Sequence, residues 1–337
     1  MYKRLVSPFL FLFDPETVHN FTFTILKLSF KFPFTKHIVS FLLSYESPRL
    51  EKQLFGLNFI NPVGVAAGLD KNAAHINEFG SFGFGFIEVG TITPEPQIGN
   101  PKKRLFRLEK DNAIINRMGF NNEGLEKILP RLKADYNVIV GGNIGKNKST
   151  PNSEAKSDYL KCFNKLYDFI DYFVINISSP NTPGLRELQT PNFLKDLFKD
   201  INTVRSKRKK YKPVLIKISP DLHENKIDEL LDIVKICKID GIVATNTTIK
   251  YPKLVSKSKN QSGGLSGAPL LKKSNQIITY ISKKTDGKLP IIGVGGILSP
   301  KDAIDKLKCG AHLVQLYTGI IYEGPGIAKK IKKQLLN

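Results

Sequence analysis

Cysteine is scarce in this sequence, and its spacing carries no pattern. Cys162, Cys237 and Cys309 are the only cysteines among 337 residues, and neither a CxxC pair nor suitably spaced histidines accompany them. An odd, scattered set of this kind excludes a disulfide framework and a zinc site of the usual spacing, and it favours a reducing compartment. We therefore expect neither a covalent cross-link nor a metal centre.

Long apolar runs and strong compositional bias are also absent. No stretch of eighteen or more apolar residues occurs, so we expect no membrane-spanning helix. With 41% hydrophobic and 24% charged residues, 26 glycines and 20 prolines, the composition is that of a folded chain. It excludes a disordered, a collagenous and a coiled-coil protein. The length suits one large domain with an appendage, or two modest domains.

Acidic residues are outnumbered by basic ones. Asp and Glu total 30 against 51 Lys and Arg, which gives a net charge of +21. This balance suits a polyanionic partner, either nucleic acid or an anionic membrane surface, but it also suits lysines spread over solvated faces. The clusters at 206–210 and 329–333 end amphipathic segments, where cations favour helix C-termini, and no zinc-finger or RNP-type pattern accompanies them. We expect no nucleic-acid partner and leave a role in membrane attraction open.

The first 45 residues are unusually apolar. Residues 1–13 look like a signal peptide, but their apolar core is short, and DPE at 14–16 stands where a small-residue cleavage site belongs. Residues 19–30 and 36–43 then read as two short helices that are apolar around most of their circumference. Such a pair must pack one face on the main domain and leave the other exposed. It is either a packing appendage or an interfacial membrane element.

From about residue 46, short apolar runs alternate with amphipathic segments. Eight runs have the continuous hydrophobicity of strands buried on both faces, and we predict strands at 62–66, 85–89, 138–142, 172–177, 214–218, 241–245, 291–294 and 312–316. The predicted helices lie at 121–133, 153–169, 191–207, 225–238, 269–284 and 300–308. Asn225 and Ser299 are the predicted N-caps of two of them. This rhythm predicts an α/β fold, a (β/α)8 TIM barrel over residues 46–337 with a small N-terminal helical extension over 1–45.

Polar and glycine residues gather at the predicted carboxyl ends of the strands. Barrels hold their active sites on this face, and two long loops, 91–120 and 246–269, also follow strands there. Glycine-rich segments at 263–267 and 293–296 stand where barrels bind phosphate through backbone N–H groups. The set suits a flat ligand with many hydrogen-bonding groups and a phosphate.

Seven segments together resemble the dihydroorotate dehydrogenases, and more narrowly their class 2, quinone-dependent, membrane-associated branch. The resemblance runs in order, with the family's spacing, from about residue 5 to the C-terminus. It rests on VAAGLDK (65–71), EVGT (88–91), NRMGF (116–120), NISSPNTPGLR (176–186), ATNT (244–247), GGLSG (263–267) and GVGG (293–296).

The resemblance implies an oxidoreductase of de novo pyrimidine (UMP) biosynthesis. It would oxidise (S)-dihydroorotate to orotate in a ping-pong cycle through one FMN per chain, with ubiquinone or menaquinone as the acceptor. It would act as a monomer, peripherally bound to the cytoplasmic side of the cell membrane. The alternatives are a dihydroorotate dehydrogenase with a soluble acceptor (fumarate or NAD), a flavin-free phosphate-binding barrel enzyme, and a basic binding protein.

The resemblance also assigns residues to proton transfer and to orotate. Ser179 is the implied base, with Thr182 and Phe120 holding a water against it, since a serine hydroxyl at neutral pH needs a relay. The branch with soluble acceptors typically has cysteine at this position, so Ser179 favours the quinone branch. The implied orotate-binding residues are Lys71, Asn116, Arg117, Met118, Gly119, Phe120, Asn176, Asn181, Asn246 and Thr247.

Flavin and quinone positions are implied in the same way. Lys217 would stabilise the negative charge that gathers on reduced FMN. His19 and Arg107 would line the quinone tunnel. The full set of implied flavin-binding residues is Ala67, Gly68, Leu69, Asp70, Lys71, Thr91, Asn143, Asn176, Lys217, Thr245, Gly267, Gly296, Tyr317 and Thr318.

Overall fold

Eight parallel strands close into a barrel in the computed structural model, which describes residues 2–337. The strands of the chain are β1 Lys52–Leu54, β2 Leu57–Phe59, β3 Val63–Val65, β4 Phe86–Ile92, β5 Leu105–Leu108, β6 Ala113–Asn116, β7 Ile139–Ile144, β8 Tyr172–Asn176, β9 Val214–Ile218, β10 Gly241–Ala244, β11 Gly264–Gly267, β12 Ile291–Val294 and β13 Leu313–Leu316. The barrel runs β3, β4, β7, β8, β9, β10, β12, β13 and back to β3. All eight predicted strands and the predicted (β/α)8 barrel are confirmed.

Helices surround the barrel and extend it at both ends. They are α1 Ser7–Phe11, α2 Pro15–Ser29, α3 Pro33–Leu43, α4 Ile76–Ser81, α5 Leu125–Leu132, α6 Ala155–Leu166, α7 Pro191–Ser206, α8 Glu224–Ile236, α9 Leu271–Lys284, α10 Pro300–Lys308, α11 Thr318–Glu323 and α12 Ile327–Leu336. A π-helical turn, Tyr2–Val6, leads into α1. Each predicted helix is present. The helices predicted at 121–133, 153–169 and 269–284 begin two to four residues later than the sequence pattern indicates, and those predicted at 19–30 and 36–43 begin three to four residues earlier.

The two predicted N-caps differ in outcome. Ser299 caps α10 as expected, because its Oγ accepts a hydrogen bond from the backbone N–H of Asp302, and the Asp302 carboxylate accepts one from the Ser299 N–H. The prediction for Asn225 is wrong. His223 occupies the N-cap position of α8, and Asn225 lies in the first turn, where its side chain accepts from the next backbone N–H.

Apolar side chains fill the barrel's N-terminal end. The antiparallel hairpin of β1 and β2 lies there, and Phe59 at its end packs edge-on against Phe86 with 5.3 Å between ring centroids. Tyr172, Val174 and Leu215 complete this buried cluster. Because the N-terminal end is filled in this way, the space for a ligand lies at the other end, where the strands terminate.

The two long loops after β4 and β10 pair with each other. β5 and β6 form a hairpin from the first loop, and β11 from the second adds antiparallel to β6, with Gly264 opposite Asn116 and Gly267 opposite Ala113. We call this three-stranded sheet the accessory sheet. It orders two segments that the sequence pattern left as long loops.

The N-terminal helices attach to the barrel through polar as well as apolar contacts. Glu16 on α2 forms a bidentate ion pair with the buried Arg104 at 2.7 and 3.1 Å, and the Phe23 ring packs 5.8 Å from Phe79. Thirteen large apolar side chains of this region stay exposed, and we call them the N-terminal apolar face: Leu5, Val6, Phe9, Leu12, Phe13, Phe21, Ile25, Leu28, Phe32, Phe34, Ile38, Phe41 and Leu42. Within residues 2–337, no helix has the length and hydropathy needed to cross a bilayer.

Candidate active site

A cavity of about 990 Å³ opens between the carboxyl ends of the barrel strands and the accessory sheet. Most residues that the resemblance assigns to orotate, flavin and proton transfer line it: Ala67, Gly68, Lys71, Thr91, Asn116, Met118, Gly119, Phe120, Asn176, Ser179, Asn181, Lys217, Thr245, Asn246, Thr247, Gly267, Gly296, Tyr317 and Thr318. They come from the ends of seven of the eight barrel strands, all but β7, and from the accessory sheet, as expected for the catalytic face of this fold.

The floor of the cavity carries a buried charge that sequence reasoning missed. The carboxylate of Glu88 is fully buried and accepts hydrogen bonds of 2.7 Å from the side-chain amides of Asn143 and Gln315. Lys217 places its ammonium 3.7 Å from the same carboxylate. A buried charge needs such partners, because an unpaired one costs several kcal/mol. The signal in the sequence was a glutamate inside a strand that is otherwise apolar.

Asn143 acts behind the cavity wall rather than on it. Its side-chain oxygen accepts from the Thr91 hydroxyl at 2.5 Å and from the Asn176 amide at 3.1 Å, and Asn176 also donates to Thr91 at 2.9 Å. Asn143 therefore orients two lining residues and connects them to Glu88.

One end of the cavity is built from backbone that only glycine accommodates easily. Gly267 and Gly296 have φ values of 97° and 81°, in the left-handed region. The Thr318 hydroxyl donates to Ser266 Oγ at 2.9 Å and so connects β11 to the end of β13. This end matches the position at which barrels of this class bind phosphate.

Amide side chains at the opposite end are already ordered by one another. Asn181 donates to the side-chain oxygen of Asn116 at 3.1 Å, and Asn246 donates to Ser178 Oγ at 3.0 Å. Burial lowers the pKa of Lys71 to about 8, with the charge of Glu16 opposing the shift. Lys71 is therefore still a cation at neutral pH, beside several groups that can both donate and accept hydrogen bonds.

Ser179 lies on the cavity wall beside Asn181. It is only 6% exposed, and its Oγ accepts from the backbone N–H of Asn181 at 3.3 Å. Phe120 lines the same cavity, whereas Thr182 is buried outside the lining. The Thr182 hydroxyl has no hydrogen-bond partner among residues 2–337, so it is available to a group such as a water.

Besides Asn143 and Thr182, three more residues assigned by the resemblance to flavin or orotate have their side chains outside the cavity. Arg117 donates to Gln261 at 3.1 Å and stacks on Phe106, 4.6 Å from the ring centroid. Leu69 belongs to the apolar core. The Asp70 carboxylate accepts two backbone N–H groups of the turn before α4 at 2.8 and 2.9 Å. Each of these three side chains is engaged within the protein and does not face the cavity.

The structure does not bring His19 and Arg107 into one pocket. His19 lines a groove of about 1140 Å³ between α2 and the loops after β3 and β6, and this groove shares Lys71 and Met118 with the cavity. Burial lowers the pKa of His19 to about 3, and the nearby charge of Lys71 adds to the shift. The imidazole is therefore neutral at physiological pH.

Arg107 instead holds the end of α1. Its guanidinium donates to the backbone oxygens of Leu10, at 3.1 Å, and of Phe13, and it lies 4.5 Å from the centroid of the Phe11 ring. Burial lowers its pKa, with Glu109 opposing the shift. Arg107 thus connects the accessory sheet to the N-terminal helices.

Known proteins share this arrangement over the whole chain. The family model for dihydroorotate dehydrogenase matches residues 49–337. A dihydroorotate dehydrogenase (quinone) from Christiangramia forsetii is 54% identical over 336 residues, covering 100% of this chain and 99% of its own. The same enzyme from Proteus mirabilis is 47% identical over 338 residues, covering 98% and 99%.

Solved structures of this family have a similar fold. A crystal structure of DHODH from Eimeria tenella in complex with ferulenol matches with a TM-score of 0.88 and 39% identity, covering 96% of this chain and 91% of that one. The family model includes every barrel strand and the accessory sheet, which together build the cavity. By sequence and by fold, the chain belongs to the dihydroorotate dehydrogenase family.

Proposed function

We propose that this chain oxidises (S)-dihydroorotate to orotate in pyrimidine biosynthesis, with FMN as its cofactor and a membrane quinone as its electron acceptor. The observation that carries the proposal is a serine, Ser179, on the wall of a cavity that also holds the amide-rich and glycine-rich ends. The relatives named dihydroorotate dehydrogenase (quinone), which match over the full chain, support the quinone as acceptor.

FMN fits the cavity on three counts. The side-chain oxygen of Gln315 is buried in the floor and has no hydrogen-bond partner within residues 2–337. Gly68 has a φ of 99°, and a Cβ there would lie 3.4 Å from the Tyr317 ring, so a side chain would narrow the space available to a flat ring. Gly267, Gly296 and Thr318 would hold the phosphate. When bound, FMN would accept the hydride from C6 of dihydroorotate and pass the two electrons on.

The chain's own groups would bind the substrate and move one proton. Lys71 supplies a positive charge for the orotate carboxylate, and the side chains of Asn116 and Asn246 supply directed hydrogen bonds to the ring. A buried set of amides rejects analogues that lack the matching groups, because its own polar atoms would stay unpaired. Ser179 Oγ would take the C5 proton while its own hydroxyl proton passes to a water held near the Thr182 hydroxyl.

Quinone access would come from the N-terminal segment. We propose that residues 1–45, of which Met1 lies outside the described residues, form the membrane- and quinone-access extension, and that 46–337 form the FMN-binding barrel. The N-terminal apolar face supports this, since so many exposed apolar side chains on short helices suit an interface that is entered but not crossed. The proposal includes a monomer bound peripherally at the cytoplasmic side of the cell membrane.

His19 and Arg107 have separate places in this proposal. Neutral His19 lies in the groove beside α2, where it could donate to or accept from a quinone oxygen. Arg107 lies at the junction of α1 with the accessory sheet, where it would border an entrance between the helices.

An anaerobic absorbance experiment tests the function directly. The purified protein should be yellow, lose its flavin absorbance on addition of dihydroorotate, and regain it on addition of a ubiquinone or menaquinone analogue. Fumarate and NAD⁺ serve as the control acceptors and should leave the reduced flavin unchanged. A colourless protein, or a flavin that dihydroorotate does not bleach, would contradict the proposal. Reoxidation by fumarate or NAD⁺ would identify the soluble-acceptor alternative.

A further inference from the structure

Arg186 lies behind the cavity wall and joins three loops, each of which follows a barrel strand. Its Nε donates to the backbone oxygen of Ser178 at 3.1 Å, in the loop after β8. One Nη donates to the Asp221 carboxylate at 3.1 Å, after β9, and the other to the backbone oxygen of Thr247 at 3.3 Å, after β10. All three edges of the guanidinium are used, each by a different loop.

Asp221 is a buried anchor for this arginine. Its side chain is 8% exposed and also accepts hydrogen bonds from Lys273 at 2.8 Å and from the Thr248 hydroxyl at 2.5 Å, together with the backbone N–H of Ile249 at 3.0 Å. Burial raises the pKa of Asp221, but the hydrogen bonds from Lys273 and Thr248 outweigh it and leave the pKa below its ordinary value. The anchor is therefore an anion throughout the neutral range.

The two backbone oxygens that Arg186 holds belong to, or adjoin, the residues that would do the chemistry. Ser178 precedes the base Ser179, and Thr247 is itself an orotate-binding position. Elsewhere the same loop is held by neutral amides: Asn100 donates to the Asn181 oxygen at 3.0 Å. Within residues 2–337, the Arg186–Asp221 contact is the one ion pair that joins this loop to the loop after β9.

We propose that Arg186, anchored by Asp221, is a positioning residue that fixes the base Ser179 relative to the orotate-binding loop at Thr247. It does not line the cavity, so it would act through the backbone and not on the substrate. A planar guanidinium can satisfy three acceptors in one plane, which the single ammonium of lysine cannot do with the same directions. This inference rests on the proposed function and names a further residue of the same site.

The physical expectation is a loss of rate rather than of binding. An error of about 1 Å in the placement of a reacting group can cost about 10²-fold in rate. Orotate affinity comes mostly from Lys71 and the amides, none of which bonds to Arg186. A residue with only a structural role would instead lower stability and leave the rate of the properly folded enzyme unchanged.

Arg186→Lys in the flavin-loaded, full-length protein is the principal test. Stopped-flow reduction by dihydroorotate should show a limiting rate about tenfold or more below wild type, whereas orotate affinity, measured from the flavin spectrum, should change less than about threefold. Reoxidation of dithionite-reduced flavin by a quinone analogue should be unchanged, because Arg186 does not touch the N-terminal helices.

Arg205→Lys is the matched control. Arg205 is a buried arginine in the last turn of α7 that pairs with Asp240 at 2.6 Å and stacks 4.4 Å from the Tyr211 ring centroid. It should lower the melting temperature without changing the limiting rate of flavin reduction. An equal loss of rate in both variants, or an unchanged rate in Arg186→Lys, would overturn the inference.

Asp221→Asn gives an independent route if Arg186→Lys fails to fold. It keeps the side chain's shape and removes the charge that anchors Arg186, so the limiting rate should again fall while orotate affinity holds. An unchanged rate in Asp221→Asn would equally overturn the inference. Failure of the proposed function looks different, because dihydroorotate would then not reduce the flavin of the wild-type protein.

Discussion

Lys306 on α10 is fully buried against α9. Both groups that accept its hydrogen bonds are neutral. Its ammonium donates to Ser274 Oγ at 2.9 Å and to the side-chain oxygen of Asn275 at 2.6 Å. Burial lowers the pKa of Lys306 to about 7, although Cys309 and Asp302 oppose the shift. Near neutral pH the folded protein therefore bears the cost of a desolvated cation that the unfolded chain does not bear.

This cost should depend on pH. Between about pH 7 and 10 the unfolded chain keeps a proton on Lys306 that the folded protein has released, so the free energy of unfolding should rise with pH. The slope from this one group is at most about 1.4 kcal/mol per pH unit. Denaturant unfolding at several pH values should show that Lys306→Met loses this slope, whereas Lys308→Met, exposed on the same helix, keeps it. Parallel pH curves for wild type and Lys306→Met would contradict the expectation.

Ser179 allows the proton-transfer role to be separated from flavin binding. Ser179→Ala should retain flavin but slow its reduction by dihydroorotate by about 10² or more, the usual contribution of a general base. Ser179→Cys should keep some activity, with its optimum moved toward the titration range of a thiol. The control is Ser157→Ala, which removes a hydroxyl from the exposed face of α6. Dihydroorotate should reduce its flavin at the wild-type rate. Near-normal reduction in Ser179→Ala would remove Ser179 from the mechanism.

The site residues that the sequence predicts lie in continuous motifs. The residues that it missed owe their roles to side-chain partners far away in the sequence. Ser179 and the cavity amides stand in continuous segments that can be compared with a family. Glu88 and Gln315 are 227 residues apart, and only the closed barrel places their side chains 2.7 Å from each other. The partnership of Arg186 with Asp221 depends in the same way on two loops meeting at one end of the barrel.

Among the strands and helices, too, those with a local sequence pattern were predicted and those formed by distant contacts were not. Barrel strands are buried on both faces, so their continuous apolar runs stand out in the sequence. β5, β6 and β11 are four-residue strands that exist because two distant loops pair, and no local pattern announces such pairing. The short helices α4 and α11 were missed for a related reason, since six residues carry too few turns for a periodicity to show.

The N-terminal apolar face can be tested on α3 without disturbing its contacts to the barrel. Phe34 and Phe41 are 75% and 84% exposed. The double variant Phe34→Glu/Phe41→Glu should bind lipid vesicles at least about tenfold more weakly, since burying a phenylalanine contributes about 1.5–3 kcal/mol. Flavin reduction by dihydroorotate should be unaffected.

The control for this variant is Ile236→Glu, an exposed apolar residue at the end of α8 that is 63% exposed. It makes the same kind of change, from an exposed apolar side chain to glutamate, at a single position outside the N-terminal helices. Vesicle co-sedimentation of the three proteins decides the matter. If the wild type and the double variant bound vesicles equally, the N-terminal helices would be only a packing appendage of the barrel.

At the scale of the whole molecule, the net charge of +21 should act on any anionic surface that the protein approaches. Attraction between exposed charges is screened as the Debye length falls from about 30 Å at 0.01 M salt to about 3 Å at 1 M. We expect binding to anionic vesicles to weaken strongly over this range, and binding to neutral vesicles to change little. Equal salt dependence for both vesicle types would mean that the positive charge has no part in membrane attachment.

The accessory sheet limits which changes of length the chain can tolerate. Asn116 on β6 lies opposite Leu105 on one side and Gly264 on the other, so a single register serves both neighbours. Side chains of a strand alternate between its two faces, and one inserted residue within β6 would turn Asn116 away from the cavity. The barrel strands would keep their own pairing. Insertions in the turns beside β6 can be absorbed locally, whereas one within it would leave a folded protein with a misassembled substrate site.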